Sequence, residues 1–581
     1  MRDSVRERLQ QALAATVQAL LSDAGDHGPP PTIALEPPKQ AEHGDFATNA
    51  ALVLAKRMKQ PPRVVAERLV AKLAGAGGLV ARAEIAGPGF VNFWLERARW
   101  RGALREILEA GSHYGRTDAG KGRRVMVEFV SANPTGPLSV GHGRNAVLGD
   151  CIARLFDATG WAVTREYYFN NGGRQMRVLG ESVRARYLER LGRAAPPPEA
   201  ALKDESLPWP AEIDGKPVVF PREGYQGDYI SDIADALIAR EGEGWTGEPG
   251  DRGFREEAER RIFAEIRATQ DSLGVAFDVY TNETSLYEEG RVERALAELR
   301  KTTRVYEEGG AVWLRAIDLG HARDRVLVKS SGEPTYLLPD VAYHQQKLER
   351  GFDRIVDVQG ADHKDQGPYV LAALAALGLP AERVEFVFYE FVTLSSGGST
   401  VKQSTRRATF ITVDEVVKDV GADVFRFFMI QRRSESHLDF DLDLAKSTDW
   451  TKNPAYYLQY AHARCCGIER QAAERGVALP QPADVSGERL ALPEEIELIR
   501  KLAEFPETVA RAAEACEPHH VAYYVRDVAA LWNPYLQDGK NHRVLSDDAE
   551  LTAARLGLVA AVRTVVANGL ALLGMSAPER M

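Results

Sequence analysis

Apolar positions change period along the chain, and each change marks a part. Val5, Leu9, Leu13, Val17 and Leu20 share one helical face, which predicts a helix over residues 4–22. A break at Pro29–Pro31 follows, then helices over 44–59 and 61–74. The alternating run FVNFWL and a helix over 98–110 close this first module. From about residue 113 to 440, short apolar runs alternate with helical stretches. Val125 to Val130 reads as a buried strand carrying one acid, and Trp161 to Phe169 as another. Val147, Leu148, Cys151, Ile152 and Leu155 lie on a helix that begins near Ser139. Further helices are expected over 173–191, 226–241 and 253–273, with a Pro-rich irregular insertion over 194–225. Ala311–Ile317 and Arg325–Val328 resemble a hairpin pair; Ile355–Val358 and Val384–Tyr389 are strands around a helix. Such alternation predicts an α/β, doubly wound parallel sheet, whose ligands bind beyond the carboxyl ends of the strands. After about residue 445 only helical spacing remains, through Tyr456–Ile468, Ile496–Val509, Val521–Leu531 and Leu551–Leu573, which predicts a helical bundle.

Composition narrows the class. A chain of 581 residues exceeds one ordinary domain. Net charge of −10 argues against a generic polyanion binder, so a nucleic-acid partner needs a local basic face. The four cysteines make no CxxC pair, which argues against a zinc cluster or a disulfide framework and fits a reducing cytoplasm. The N-terminus lacks a signal-peptide core, and no apolar run reads as long enough to span a bilayer, so no membrane association is expected.

Candidate chemistry collects where strands should end. Glu128, Ser131 and Asn133 close the first strand of the α/β part, and Ser139, Gly141 and His142 open its helix. Free N–H groups at a helix start form an anion site. Tyr336 and Asp340 lie one helical turn apart; Gln359, Gly360, Asp362 and His363 end the strand RIVDVQ. Lys402 and Ser404 sit in the Gly/Ser-rich basic stretch SSGGSTVKQSTRRATF. Singly, each has a plain structural reading: a histidine in a first helical turn is most often a cap, and Asp340 is placed to cap its helix. Glu128 is harder to dismiss, because a buried carboxylate needs a partner. Together they make a phosphate cradle, a loop cation and two acids suited to a cationic ligand.

SVGH resembles the HIGH motif of class I aminoacyl-tRNA synthetases, and VKQST their KMSKS loop. The stretches VEFVSANPTGPLSVGHGRNAVLGD, PTYLLPDVAYHQQKLERGFDRIVDVQGADH, SHLDFDLDLAK, NPAYYLQYAHAR and LALLGMSAPERM narrow this to the bacterial arginyl-tRNA synthetases. The resemblance implies a small N-terminal α/β domain over 1–110 that touches the outer corner of the tRNA. It implies a Rossmann-type catalytic domain over 113–444 with an insertion near 194–250, and an α-helical anticodon-binding domain over 445–581. It implies ATP-dependent activation of L-arginine, with Mg²⁺ carried on the nucleotide rather than held at a dedicated protein site, then transfer to tRNA(Arg) by a cytoplasmic monomer.

Residue roles follow from the same resemblance. Glu128, Asp340, Tyr336, Gln359, Ser131 and Asn133 would contact arginine; carboxylates are natural readers of a guanidinium fork. Ser139, Gly141, His142, Gly360, Asp362, Lys402 and Ser404 would hold ATP, with His142 and Lys402 as the catalytic pair. Ser139 departs from the first HIGH histidine, and losing one transition-state donor costs roughly a hundred- to a thousandfold in rate. The alternative reading is therefore a tRNA-binding paralogue with weakened or lost aminoacylation.

Overall fold

Five parallel strands carry the middle of the molecule: β1 (Arg124–Glu128), β2 (Ala162–Phe169), β3 (Val279–Asn282), β4 (Arg354–Gly360) and β5 (Val384–Tyr389), in spatial order β5-β4-β1-β2-β3. The computed structural model describes residues 5–36, 38, 40, 43–74, 79–203, 207–245, 252–400, 411–485 and 487–581. Strand order reverses between β1 and β4, so the crevice for ligands opens beyond Glu128 and Gly360. Alternation assigns the faces. Val125 and Val127 join one core, while Met126 and Ile355 join a second core with the helix over Leu337–Glu349. Glu128 and Asp357 share the parity of Met126 and Ile355, so both acids face that helix.

Four helices matter to the site and are labelled α1 (Val140–Ala158), α2 (Leu337–Glu349), α3 (Ala422–Ile430) and α4 (Ala549–Leu572). Gly149 lets α1 lie against β1, since a Cβ there would come within 2.2 Å of the Phe129 ring. Two crossovers are enlarged. One, between β2 and β3, holds the Pro-rich stretch with the short strands Glu212–Ile213 and Lys216–Pro217. The other, between β3 and β4, carries a three-stranded antiparallel sheet, Val305–Glu308, Ala311–Leu314 and Arg325–Val328.

Three expectations need correction. Residues 44–59 are not one helix: Phe46–Thr48 is a strand paired with Val91–Phe93, and the helix is Ala50–Met58. Side chains at 46 and 48 bury on one face, the period of a strand. The segment 496–509 is broken into helices Pro493–Ala503 and Phe505–Glu514, because Pro506 lacks the N–H that would continue the first. Finally, α4 is long and apolar enough to cross a bilayer by length and composition, contrary to the sequence reading. Most of its apolar positions are instead buried among the C-terminal helices, including Leu558, Val562 and Val566.

Candidate functional site

Chain geometry bends sharply where β1 ends. Val130 and Ser131 both take left-handed backbone angles, φ 65° and 44°, which strain non-glycine residues. Asn145 of α1 stabilises the bend: its side chain accepts the Val130 N–H at 2.9 Å and donates to Val358 O at 3.0 Å. One amide thus ties the tips of β1 and β4 across the crevice.

The N-terminus of α1 forms one wall of the crevice. Ser139 is its N-cap, and the Ser139 N–H donates to His142 Nδ1 at 3.2 Å, with Ser139 Oγ at 3.2 Å from the same nitrogen. Burial lowers the His142 pKa, partly opposed by the charge of Asp362. A neutral ring whose Nδ1 accepts carries its proton on Nε2, so His142 presents a donor. Ser139 thus contacts His142 through both its backbone N–H and its hydroxyl. At Gly141 an added Cβ would meet nothing nearer than Ser139 Oγ at 3.7 Å, which keeps this turn open. Arg144, missed in the sequence, donates to Glu390 O at 2.5 Å and Arg433 O at 3.0 Å, anchoring α1 to the loops beyond β5.

The opposite wall is polar and acidic. Glu128 is buried; Ser131 Oγ donates to its Oε1 at 2.9 Å, and Lys347 Nζ donates to its Oε2. The same ammonium donates to both Asp357 oxygens at 2.8 Å. His344 bridges Asp357 Oδ2 and the Asp340 backbone oxygen at 2.7 Å each. Asp340 itself pairs with no cation among the described residues; Gln366 Nε2 donates to it. Burial raises Asp340 to about 7, with Glu283 and Glu128 adding to the shift against His344 and Gln366. Burial also raises Glu128, opposed by Lys347. Asp357 is held down to about 2 against the effect of its burial, by Lys347 and His344.

The remaining predicted residues divide. Gln359 has the parity of Asp357, so it lies on the α2 face of the sheet. Gly360 and Asp362 follow at the end of β4, where a Cβ on Gly360 would come within 2.5 Å of Asp362 Oδ1. Tyr336, 80% exposed, lines with Asp362, Gln366 and Arg323 a cleft of about 740 Å³ that adjoins Asp340. Asn133 is occupied within the fold: its Oδ1 accepts the Asn170 N–H at 2.9 Å and its Nδ2 donates to Gln175 at 3.1 Å. Lys402 and Ser404 lie outside the described residues. Of the functional side chains the sequence reading missed, His344 and Lys347 had a signal. They follow Asp340 at i+4 and i+7 on one buried helical face. Gln366 and Asn145 had none.

A larger cavity, about 1010 Å³, lies between the N-terminal module and the C-terminal helices, lined by Arg6, Glu36, Glu106, His113 and Glu507. It contains none of the predicted site residues, so size does not locate the chemistry here.

Known proteins agree along the whole chain. Three family models match, described as arginyl tRNA synthetase N terminal domain (residues 3–95), tRNA synthetases class I (R), catalytic domain (residues 103–196) and DALR anticodon binding domain (residues 458–581). The chain is 47% identical to the arginine–tRNA ligase of Desulfotalea psychrophila over 94% of each chain. It is 45% identical to that of Syntrophotalea carbinolica over 99% of this chain and 100% of the relative. The solved Thermus thermophilus arginyl-tRNA synthetase aligns with a TM-score of 0.73 at 26% identity, covering 99% of this chain and 100% of that one.

Proposed function

The chain belongs to the class I arginyl-tRNA synthetases, and from that premise we propose how its site residues divide the work. It is an arginine–tRNA ligase: ATP activates L-arginine as arginyl-AMP, and arginyl passes to the terminal adenosine of tRNA(Arg). Catalysis of this kind needs no covalent bond to the enzyme. It is positioning, plus stabilisation of charge on the α-phosphate while the arginine carboxylate displaces pyrophosphate.

Asp340 and Glu128 take the guanidinium, with Gln359 and Tyr336 at its flanks and Ser131 holding Glu128. Asn133 orients the backbone end of the amino acid through the proton its internal bonds leave over. His142 donates from Nε2 to a phosphate oxygen, in the field of the α1 N-terminus. Gly141 leaves room for the adenine, and Gly360 with Asp362 flanks the ribose. Lys402 and Ser404 serve the leaving pyrophosphate. Mg²⁺ travels with the nucleotide, where it neutralises phosphate charge. The N-terminal module, residues 1–110, meets the outer corner of the tRNA, and residues 445–581 meet its anticodon. The enzyme works as a monomer in the cytoplasm; four buried cysteines outside any disulfide support the compartment.

One observation carries the assignment. At the reversal point of the sheet, an acid without a cation among the described residues (Asp340) and a neutral imidazole donor (His142) flank one crevice. Charging assays on Asp340→Asn test it. The arginine KM should rise roughly a hundredfold, with the ATP KM nearly unchanged. Equal rises in both would overturn the role given to Asp340.

A further inference from the structure

Lys347 is wholly buried, yet it stands two turns beyond Asp340 on α2. Its ammonium has three protons and three carboxylate oxygens around it: Glu128 Oε2, and Asp357 Oδ1 and Oδ2 at 2.8 Å. Its donors are therefore spent, and it offers none to a substrate. The two acids are direct neighbours in the sheet, Asp357 opposite Glu128 in the β4–β1 register. Two carboxylates side by side in a dry site do not both stay ionised without a cation. The ammonium also lies 4.3 Å from the centre of the Tyr343 ring, which closes the site behind it.

The consequence falls on Glu128. One of its oxygens is held by Lys347 and the other takes the Ser131 hydroxyl at 2.9 Å, so the carboxylate is fixed in orientation. Much of its charge is answered from behind. Asp340, by contrast, has an amide for its side-chain partner.

We propose that Lys347 is a positioning residue for arginine: it orients and neutralises Glu128, so that Glu128 supplies a hydrogen-bond acceptor and Asp340 supplies the counter-charge of the guanidinium. This rests on the assignment of Glu128 and Asp340 to the arginine pocket. The division suits the ligand, because a cation with a fixed fork of donors needs one opposite charge and further acceptors in set directions.

The test is a cycle of Lys347→Met, Glu128→Gln and the double variant, with arginine KM, ATP KM, kcat and Tm measured for each. Lys347→Met leaves Glu128 and Asp357 sharing a proton, so the arginine KM should rise about tenfold or more and the ATP KM stay within about twofold. Glu128→Gln keeps an acceptor oxygen and should raise the arginine KM only about threefold. Adding Lys347→Met to Glu128→Gln should change it less than about twofold, since the lysine acts through the charge at 128. Should Lys347→Met alone not fold, the double variant is compared with Glu128→Gln instead; removing the facing charge should restore folding. Three results would overturn the proposal: a lower Tm with both KM values unmoved, the same loss in either background, or a double variant that still fails to fold. Asp340→Asn separates the levels. If it leaves arginine KM unchanged, the pocket assignment fails; if it acts while the Lys347 series is flat, this proposal alone fails.

Discussion

Two groups of buried charges lie on either side of α1, and they are built differently. Beneath the middle of the helix, Arg426 of α3 donates to Asp150 at 2.5 Å, to Leu573 O at 2.9 Å and to Leu273 O at 2.8 Å. Arg154 also donates to Asp150, at 2.7 Å. The guanidinium leaves no space: a Cβ on Gly574 would come within 2.0 Å of it. Here two cations share one acid, and the chain just beyond α4 is locked against α1. At the tip of β1 the inner group has one ammonium between two carboxylates, Glu128–Lys347–Asp357, with His344 also on Asp357, whereas Asp340 beside it lacks a cation among the described residues. Buried pairs contribute little net stability, because desolvation offsets their attraction. What they do well is hold geometry. The seam uses that property to fix α3 and the chain beyond α4 against α1; in the proposed pocket it leaves one acid for a cationic guest.

Arg426→Met separates the two groups most strongly. It strips Asp150 and two carbonyl oxygens of a buried partner, which should cost about 3–5 kcal/mol in denaturant unfolding. The arginine KM of the protein that remains folded should stay near the parent value; a large rise would mean that seam and site are one unit. Asp340→Asn should do the reverse, weakening arginine without lowering Tm. It removes an acid whose ionised form burial disfavours, and a clear loss of stability would contradict that.

Proton linkage gives an intermediate effect. A carboxyl raised to about 7 binds its proton more tightly folded than unfolded. Its contribution to stability is present below the unfolded carboxyl value and is lost as pH rises to about 7. Arginine needs the ionised form, so its KM should fall about tenfold between pH 6 and pH 8. The same titration on Asp340→Asn should be flat, and a slope in both would assign the proton elsewhere.

The smallest effect concerns the helix mouth. Ser139→Ala removes the hydroxyl beside His142 Nδ1 but keeps the backbone N–H that donates to it. Losing one hydrogen bond that orients His142, about 1 kcal/mol of transition-state stabilisation, predicts a kcat roughly fivefold lower with arginine KM unchanged. Loss of all activity would show that the hydroxyl touches the nucleotide directly.

Much of this was legible in the residues. Strand and helix periods located the parallel sheet, because local spacing decides which residues share a face, and short motifs singled out His142, Asp340 and Glu128 as candidates. Pro506, a local signal, explains the break within 496–509; the other two failures came from non-local contacts that overrode the period. Phe46–Thr48 became a strand because Val91–Phe93 was there to pair with it, and apolar α4 became a core helix because other helices cover it. Partner choice belongs to the tertiary structure for the same reason. The sequence determined that Glu128 needed a partner; the fold decided that it is Lys347, 219 residues away. It likewise turned Ser139 toward His142 and left Asp340 without a cation among the described residues. Periodicity carries information over a few residues, whereas a buried charge is settled by whatever the closing core brings within about 3 Å.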